Sequence, residues 1–218
     1  MSRLSVDFEQ AKIKEGYSWV VGVDEVGRGP LAGPIVAAAV IFPTHFQAVP
    51  YELRKVTDSK KLSEKERVKL LLHIKQHALQ WSIKSVPARV VDAIGIQEAN
   101  MRVMRSAVAD VVERVQVTAK QKVYVCVDGR ALLPRLPHEQ QAVVQGDAKI
   151  FSIAAASILA KTYRDSFMER QSKAYPHYGF AKHKGYGTRE HRMAIRSYGL
   201  CPQHRKTFCG RIDEWGDE

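Results

Sequence analysis

A short apolar segment that ends on two adjacent carboxylates constrains this chain more than any other feature. Residues 20–23 (VVGV) have the composition of a buried strand, and Asp24 and Glu25 follow directly. Two carboxylates withdrawn from water raise each other's pKa unless a positive partner compensates them, so the pair indicates a bound cation. A solvated acidic turn is the alternative for the pair taken alone.

The turn after this pair is rich in glycine. Gly27, Arg28 and Gly29 allow the main chain to approach a ligand more closely than bulkier residues would. Residues 35–42 (IVAAAVIF) then form a second apolar run, which predicts a strand covered on both faces. The turn is therefore expected to connect two buried strands.

The rest of the chain alternates between helical and extended patterns. Ser63 followed by Glu66 is a capping box, and it predicts a helix with apolar residues at helical spacing, namely Val68, Leu71, Leu72 and Leu79. Alternation of this kind indicates an α/β fold. The other predicted elements are strands at 81–86, 122–127 and 142–144 and helices at 90–114, 152–171 and 189–198.

Carboxylates also follow the later predicted strands. Asp128 ends one of them, and Asp147 follows another. If these strands are neighbours in one sheet, both acids converge with Asp24 and Glu25 at the same edge. Four carboxylates favour two Mg²⁺ or Mn²⁺ ions over zinc, and two such ions can promote phosphodiester hydrolysis.

Several other residues compete for a place in a metal site. Asp165 could supply the fourth acid, although an aspartate inside a helix is more often part of a structural ion pair. Asp58 precedes a capped helix and is predicted to be a turn residue. The three cysteines contain no CxxC pair, which argues against a disulfide framework. A zinc site would need a fourth ligand besides Cys201, His204 and Cys209.

The charge of the chain indicates a polyanionic partner. The formal net charge is +11 and the pI is near 9.6. The C-terminal part has only Glu190 to balance its cations, which is typical of a phosphate-binding surface; a solubilising face is the alternative. These cations are Arg170, Lys173, Lys182, Lys184, Arg189, Arg192, Arg196, Arg205, Lys206 and Arg211.

Targeting signals are not evident in the sequence. The chain has no apolar run of about 18 residues, and MSRLSVDFEQ lacks the charged-then-apolar pattern of a signal peptide. A cytoplasmic location and no membrane partner are therefore expected. Residues 209–218 (CGRIDEWGDE) give no recognisable partner motif, so a replication or repair partner is not identifiable, and nothing demands more than a monomer.

Six long segments occur in a characteristic order. They are VGVDEVGRGPLAGPIVAAAV, TDSKKLSEKER, VYVCVDG, GDAKIFSIAAASILAKTYRD, YPHYGFAKHKGYGT and CPQHRKTF. In this order they resemble bacterial ribonuclease HII, the type 2 ribonuclease H, over nearly the whole chain. Ile150, where the family often has serine, and the stretch IGIQEAN depart from the usual pattern without touching an expected metal ligand.

The resemblance implies an architecture and an activity. The fold would be a ribonuclease H-like mixed sheet flanked by helices with a small C-terminal helical extension. Residues 1–218 would form one catalytic domain, with about 171–218 as a basic substrate-binding part. The enzyme would cut the RNA of RNA–DNA hybrids and incise 5′ of ribonucleotides embedded in duplex DNA, leaving 3′-hydroxyl and 5′-phosphate ends and removing misincorporated ribonucleotides.

The resemblance also implies roles for individual residues. The acids that hold two Mg²⁺ or Mn²⁺ ions would be Asp24, Glu25, Asp128 and Asp147. The residues that bind nucleic acid would be Gly27, Arg28 and Gly29, which read the ribose 2′-hydroxyl, Tyr186, which packs on a sugar, and Lys60 and Arg164, which contact phosphates. These contacts suit RNA because the 2′-hydroxyl distinguishes it from DNA.

Two other hypotheses are compatible with the same residues. Another ribonuclease H-like nuclease, such as a resolvase or integrase, would cleave without regard to a 2′-hydroxyl. A basic nucleic-acid-binding module without catalysis would leave the carboxylates unexplained, because acids on such a surface weaken binding.

Overall fold

The structure is a computed structural model that describes residues 4–210. In this part of the chain the strands are β1 (Trp19–Val26), β2 (Ile35–Ile41), β3 (Gln80–Val86), β4 (Val123–Asp128) and β5 (Glu139–Val143). The α-helices are α1 (Asp7–Lys14), α2 (Glu64–His77), α3 (Ala88–Ile94), α4 (Ile96–Arg114), α5 (Phe151–Ala174), α6 (Phe180–His183), α7 (Arg189–Tyr198) and α8 (Lys206–Cys209). Short 3₁₀ turns lie at Tyr51–Leu53, Ser59–Lys61, Gly146–Ala148 and Pro176–Tyr178.

The five strands form one mixed sheet in the order β3-β2-β1-β4-β5. The central strand β1 runs antiparallel to β2 and parallel to β4. β5 continues the sheet in parallel beside β4, and β3 pairs antiparallel with β2. The predicted mixed α/β sheet flanked by helices is confirmed.

Small residues allow the long helix α5 to lie directly on the sheet. A Cβ atom on Gly22 of β1 would come within 2.3 Å of the Ser152 carbonyl carbon in α5. On the same face Ala154 and Ala155 pack with apolar residues of β2 such as Val36. The opposite face of the sheet packs against α4. Both strands that flank the glycine-rich turn are therefore held in a core.

The capping box predicted for α2 is present, and of the apolar residues at helical spacing in this helix Leu71 packs against the core while two others are exposed. The Ser63 hydroxyl accepts a hydrogen bond from the Glu66 N–H, and the Glu66 carboxylate accepts one from the Ser63 N–H. Val68 and Leu72 are 45% and 62% exposed, whereas Leu70 is buried. Apolar residues occur on more than one side of this helix, so the pattern alone could not fix which side contacts α5.

The helix predicted at 90–114 is two helices. Gly95 has φ +77°, a conformation that ends α3 before α4 begins. Glycine adopts this geometry without the strain of a Cβ atom. The periodicity of apolar residues continues through the break, which is why the sequence predicted a single helix.

The C-terminal segment packs against the turn that follows β1. Ala32 shares a buried cluster with Met168, Phe180 and Ile195. Thr188 caps α7 by accepting a hydrogen bond from the His191 N–H, as predicted. Among the residues that the structure describes, none of the helices combines the length and apolar character needed to cross a membrane.

Candidate metal centre and nucleic-acid interface

Three of the predicted acids meet at one edge of the sheet. Asp24, Glu25 and Asp128 each offer a carboxylate oxygen, and these atoms lie within 4.8 Å of one another. Parallel pairing explains the meeting, because Val23 of β1 is opposite Val127 of β4 and an acid follows each of them. Glu25 lies within β1, which extends to Val26, and not beyond its end.

Burial makes this group of acids electrostatically unfavourable without a cation. Asp24 is 5% exposed. Its pKa is raised well above the usual value by burial first and then by the charges of Glu25 and Asp128, against a lowering hydrogen bond with Ser157. Burial also raises the pKa of Glu25, although Arg28 opposes the shift. The all-oxygen donor set and its three neighbouring carboxylates fit a divalent cation such as Mg²⁺ or Mn²⁺.

Asp147 lies beside this group but is not one of the three acids that meet. It belongs to the 3₁₀ turn after β5, and the Gly146 N–H of that turn donates to Asp128 Oδ1 at 2.7 Å. The pKa of Asp147 is raised by burial first, and then by Asp58 and Asp128. Asp147 is thus close enough for the charges of Asp58 and Asp128 to act on its carboxylate, and it extends the negative region toward Asp58.

Three residues near the acids were not predicted as part of the site. Asp58 caps its own turn, as expected, by accepting from the Lys60 N–H at 3.0 Å, yet it also faces Asp147. The Ser59 hydroxyl lies 2.9 Å from the Ser157 hydroxyl, and Ser157 hydrogen-bonds to Asp24. All three lie in segments that carry the family resemblance, TDSKKLSEKER and GDAKIFSIAAASILAKTYRD, but no residue pattern in either segment marks them as part of the site.

Two exposed cations border the acids. Lys60 lowers the pKa of both Glu25 and Asp147, so its ammonium lies near the carboxylates while remaining accessible to solvent. Arg28 Nη1 is 3.8 Å from Glu25 Oε1, and its side chain is 57% exposed. Both cations are positioned where a phosphate approaching the acids would meet positive charge.

The glycine-rich turn and Tyr186 lie next to each other. Gly27 directly follows β1 and has φ +98°, a conformation that favours glycine. A Cβ atom on Gly29 would lie 4.0 Å from the Tyr186 ring, which is 44% exposed. The structure therefore brings together the predicted turn and the predicted aromatic residue, although 157 residues separate Gly29 from Tyr186 in the sequence.

The position of Arg164 requires a correction to its expected phosphate contact. Arg164 is fully buried. Its guanidinium donates to the carbonyls of Pro34 at 3.0 Å, Lys184 at 2.9 Å and Ala32 at 3.0 Å. The Tyr186 ring lies above it, with 5.9 Å between Arg164 Cζ and the ring centroid. Arg164 supports the turn from below and does not reach solvent.

The competing acid and the competing zinc ligands have structural roles. Asp165 forms ion pairs with Arg67 at 3.2 Å and with Lys161 at 2.8 Å. A structural ion pair is the role that was predicted for this aspartate inside a helix. His204 Nδ1 accepts a hydrogen bond from the Cys201 N–H. Within residues 4–210, the only three-ligand group of carboxylates, histidines and cysteines close enough to hold a metal is the acidic one.

The basic C-terminal segment is exposed in part. Arg205 is fully buried, although its charge was counted toward a phosphate-binding surface, and Arg211 lies outside the described residues. Lys182 pairs with Glu190 at 2.6 Å. The exposed cations of this segment are Arg170, Lys173, Lys182, Arg189, Arg196 and Lys206.

A cleft of about 570 Å³ opens beside the acids. Glu25, Arg28 and Asp128 line one side, and Met101 and Leu133 provide apolar contact. A nucleotide has the same mixture of charged and apolar groups, so this cleft is suited to a segment of polynucleotide at the acidic edge.

The comparison with known proteins agrees with this arrangement. The family profile for ribonuclease HII matches residues 21–212. The chain belongs to the ribonuclease HII family. A family member from Pelodictyon phaeoclathratiforme is 47% identical over 91% of this chain and 92% of its own length. Another, from Caldanaerobacter subterraneus, is 44% identical over 94% of this chain and 80% of its own length.

A solved structure shares the fold of the present chain. The crystal structure of ribonuclease H2 from Pyrococcus horikoshii has a TM-score of 0.71 and 25% sequence identity, covering 90% of this chain and 97% of its own. The ribonuclease H-like fold class expected from the resemblance is therefore confirmed. The family membership covers the strands that carry the acids and the segment that carries Tyr186.

Proposed function

We propose that this protein is an endoribonuclease that hydrolyses the RNA strand of RNA–DNA hybrids and cuts 5′ of single ribonucleotides embedded in duplex DNA. One observation carries the proposal: a group of three carboxylates lies beside a glycine-rich turn and an exposed tyrosine. Family membership supports ribonuclease H activity. The position of the carboxylates beside the turn and the tyrosine supports hydrolysis of a phosphodiester next to a ribose.

The acids fit a site for two divalent metal ions. Asp24, Glu25 and Asp128 would hold them, and Asp147 is the proposed fourth ligand because it lies within electrostatic reach of Asp128. When bound, Mg²⁺ or Mn²⁺ would activate a water and stabilise the departing oxygen of the phosphodiester. Ser157 orients the Asp24 carboxylate by a hydrogen bond. The products would carry 3′-hydroxyl and 5′-phosphate ends.

The turn and the tyrosine would select the nucleotide. Main-chain groups of Gly27, Arg28 and Gly29 would pair with the 2′-hydroxyl, which both donates and accepts hydrogen bonds. The exposed Tyr186 ring would pack against the adjoining sugar. Arg28 and Lys60 border the acids and would contact the backbone phosphates.

The proposed cleavage would give the protein a role in removing ribonucleotides from DNA. An enzyme that cuts beside an embedded ribonucleotide starts the removal of ribonucleotides misincorporated into DNA. It would act in the cytoplasm beside the chromosome, as a monomer. The catalytic unit would comprise the sheet and its helices, with the basic segment from about residue 171 adding contacts to the nucleic acid.

The test is cleavage of a labelled DNA duplex that carries one ribonucleotide. With Mg²⁺ we expect a single cut on its 5′ side, and no cut in an all-DNA duplex of the same sequence. Uncut substrate would overturn the proposal, and equal cutting of both duplexes would indicate a nuclease of the resolvase kind. Binding without any cleavage would favour a non-catalytic module.

A pair of variants links the cut to the acids. Asp24→Asn should lower the cleavage rate by more than about 100-fold, since even residues that only support metal ligands account for about 10- to 100-fold. Asp7→Asn changes an exposed aspartate of α1 in the same way and should cut normally. Normal cleavage by the Asp24 variant would show that the reaction takes place elsewhere.

A further inference from the structure

The turn after β1 directs several of its carbonyl groups toward the protein interior. Residues 27–34 contain two glycines with positive φ, Gly27 at +98° and Gly33 at +89°. A single β-bridge, between Ala32 and His204, is formed by this stretch. Regular secondary structure therefore satisfies few of its carbonyls, and they need other donors because buried acceptors without partners are costly.

Arg205 supplies most of these donors from the far end of the chain. It is fully buried. Its Nη2 donates to the Gly27 carbonyl at 2.6 Å and to the Gly33 carbonyl at 2.9 Å. Its Nη1 donates to the Arg28 carbonyl at 3.1 Å, and its Nε to the Gly33 carbonyl at 3.1 Å. One guanidinium thus joins the start of the turn to its end.

Burying a guanidinium in this way is unfavourable unless the contacts are specific. The hydrogen bonds of Arg205 within the described chain go to carbonyl groups and not to a carboxylate. Burial lowers its pKa to about 10, so it remains charged at neutral pH. Lysine could not replace it, because an ammonium lacks the planar, divergent donors that reach three carbonyls at once.

The residues before Arg205 are fixed to the same turn. The Arg205 N–H donates to the Leu31 carbonyl at 2.8 Å, and the Gly33 N–H donates to the Gln203 carbonyl at 2.8 Å. His204 Nε2 lies 3.0 Å from His191 Nε2. His191 Nδ1 donates to the Tyr186 carbonyl at 2.9 Å, so one network holds both the turn and the tyrosine.

We propose that Arg205 is a positioning residue for recognition of the ribose 2′-hydroxyl. By drawing the carbonyls of Gly27, Arg28 and Gly33 inward, it leaves the outer main-chain groups of the turn oriented toward a sugar. It does not touch the substrate itself. The inference rests on the proposed function and adds a residue that fixes the start and end of the turn, beside Arg164, which holds the Ala32 and Pro34 carbonyls.

The test compares binding of two duplexes in Ca²⁺, which replaces Mg²⁺ so that the substrate stays intact. Fluorescence anisotropy gives Kd for a duplex with one ribonucleotide and for the all-DNA duplex of the same sequence. For the unmodified protein we expect the ribonucleotide to improve affinity about tenfold, the effect of one or two hydrogen bonds. The readout is the ratio of the all-DNA Kd to the ribonucleotide Kd. For Arg205→Lys this ratio should fall from about ten to within about twofold of one.

A matched variant separates positioning from general destabilisation. Arg67→Lys makes the same change at another largely buried arginine, whose hydrogen bonds go to Asp165 and to the Ser59 and Leu62 carbonyls and not to the turn, and it should keep the tenfold ratio. Should Arg205→Lys not fold, Arg205→Gln retains planar donors without charge and should also lose the ratio.

The outcomes of this experiment are distinct. An unchanged ratio in a folded Arg205 variant would overturn the inference, because loss of stability alone weakens binding to both duplexes equally. A ratio near one in the unmodified protein would overturn the proposed function and the inference with it.

Discussion

Asp24 illustrates how single residues create the site. It combines 5% exposure with two neighbouring carboxylates, and a hydrogen bond from Ser157 only partly offsets the resulting rise in its pKa. A buried acid in such surroundings destabilises the fold unless a cation binds, so the position is explained by binding and not by packing. Asp165, equally buried, has two cationic partners and needs no metal.

Asp147 provides the sharpest prediction at this scale. Its carboxylate lies beside Asp58 and Asp128 but outside the group of three. Asp147→Asn should lower the maximal cleavage rate at saturating Mg²⁺ by about 100-fold, because it removes a proposed metal ligand. Titration of the cleavage rate with Mg²⁺ measures the effect.

Asp58→Asn is the control for this variant. Asparagine can still accept the hydrogen bond from the Lys60 N–H, while the charge that faces Asp147 and the exposed ion pair with Lys61 are lost. We expect the Mg²⁺ concentration for half-maximal rate to rise by about tenfold, the lower end of the effect of a residue that supports a metal ligand, with the maximal rate retained. Full recovery of Asp147→Asn at high Mg²⁺ would contradict its role as a ligand.

At the scale of elements, the contact between β1 and α5 positions the acids. Gly22 lies two residues before Asp24, and its main chain lies directly against α5 near Ser152. α5 also carries Ser157, which hydrogen-bonds to Asp24. The distance between this strand and this helix thus determines the geometry of the first acid.

Gly22→Ala should therefore destabilise the protein. The new Cβ would come within 2.3 Å of main-chain carbon in α5, so the helix and strand must separate. Overpacking costs typically about 1–3 kcal/mol, and we expect about 3 kcal/mol because main chain cannot rotate away. Urea denaturation measures the change.

The matched control is Gly210→Ala, where a Cβ would meet nothing closer than 3.9 Å and φ is −64°. It should alter stability by less than about 0.5 kcal/mol. Equal stability of the two variants would show that β1 and α5 can separate without penalty.

Elements with local signals were predictable from sequence, and their tertiary contacts were not. The capping box at Ser63 and the acids at the strand ends depend on neighbouring residues, and both were recognised. The buried side of α2 depends on what packs against it. Ser157 and Arg205 act on groups 98 and 178 residues away, and no periodicity or spacing encodes such contacts.

At the scale of the whole molecule, the site is assembled from distant parts of the chain. Two of the acids come from β1, a third from β4, and the turn is completed by residues 203–205. The basic part from about residue 171, which is predicted to bind substrate, contributes to this assembly. Its buried residues already hold the turn, so it is structurally continuous with the site.

The buried histidines of this C-terminal part predict a loss of stability in acid. Burial lowers the pKa values of His191 and His204 to about 4, from an ordinary 6.5. Between these values the unfolded chain binds more protons than the folded one, so stability falls as pH decreases from about 6.5 to 4. We expect a loss of about 1–2 kcal/mol per histidine at pH 5.

Urea denaturation at pH 7.5 and pH 5 measures this dependence. His191→Gln should reduce the difference in the free energy of unfolding between the two pH values. His45→Gln, at an exposed site, should leave this difference unchanged. A pH dependence unaltered by the His191 substitution would exclude this histidine as its source.

The link between Arg205 and the turn has a consequence during synthesis. A ribosome has translated all four predicted acids by residue 147, but the donor that completes the turn is not translated until residue 205. A growing or prematurely terminated chain would therefore hold the catalytic acids without a formed sugar-reading surface. Because the turn that would discriminate ribose from deoxyribose needs a residue translated after the acids, a chain that stops before residue 205 would lack the selectivity of the finished enzyme.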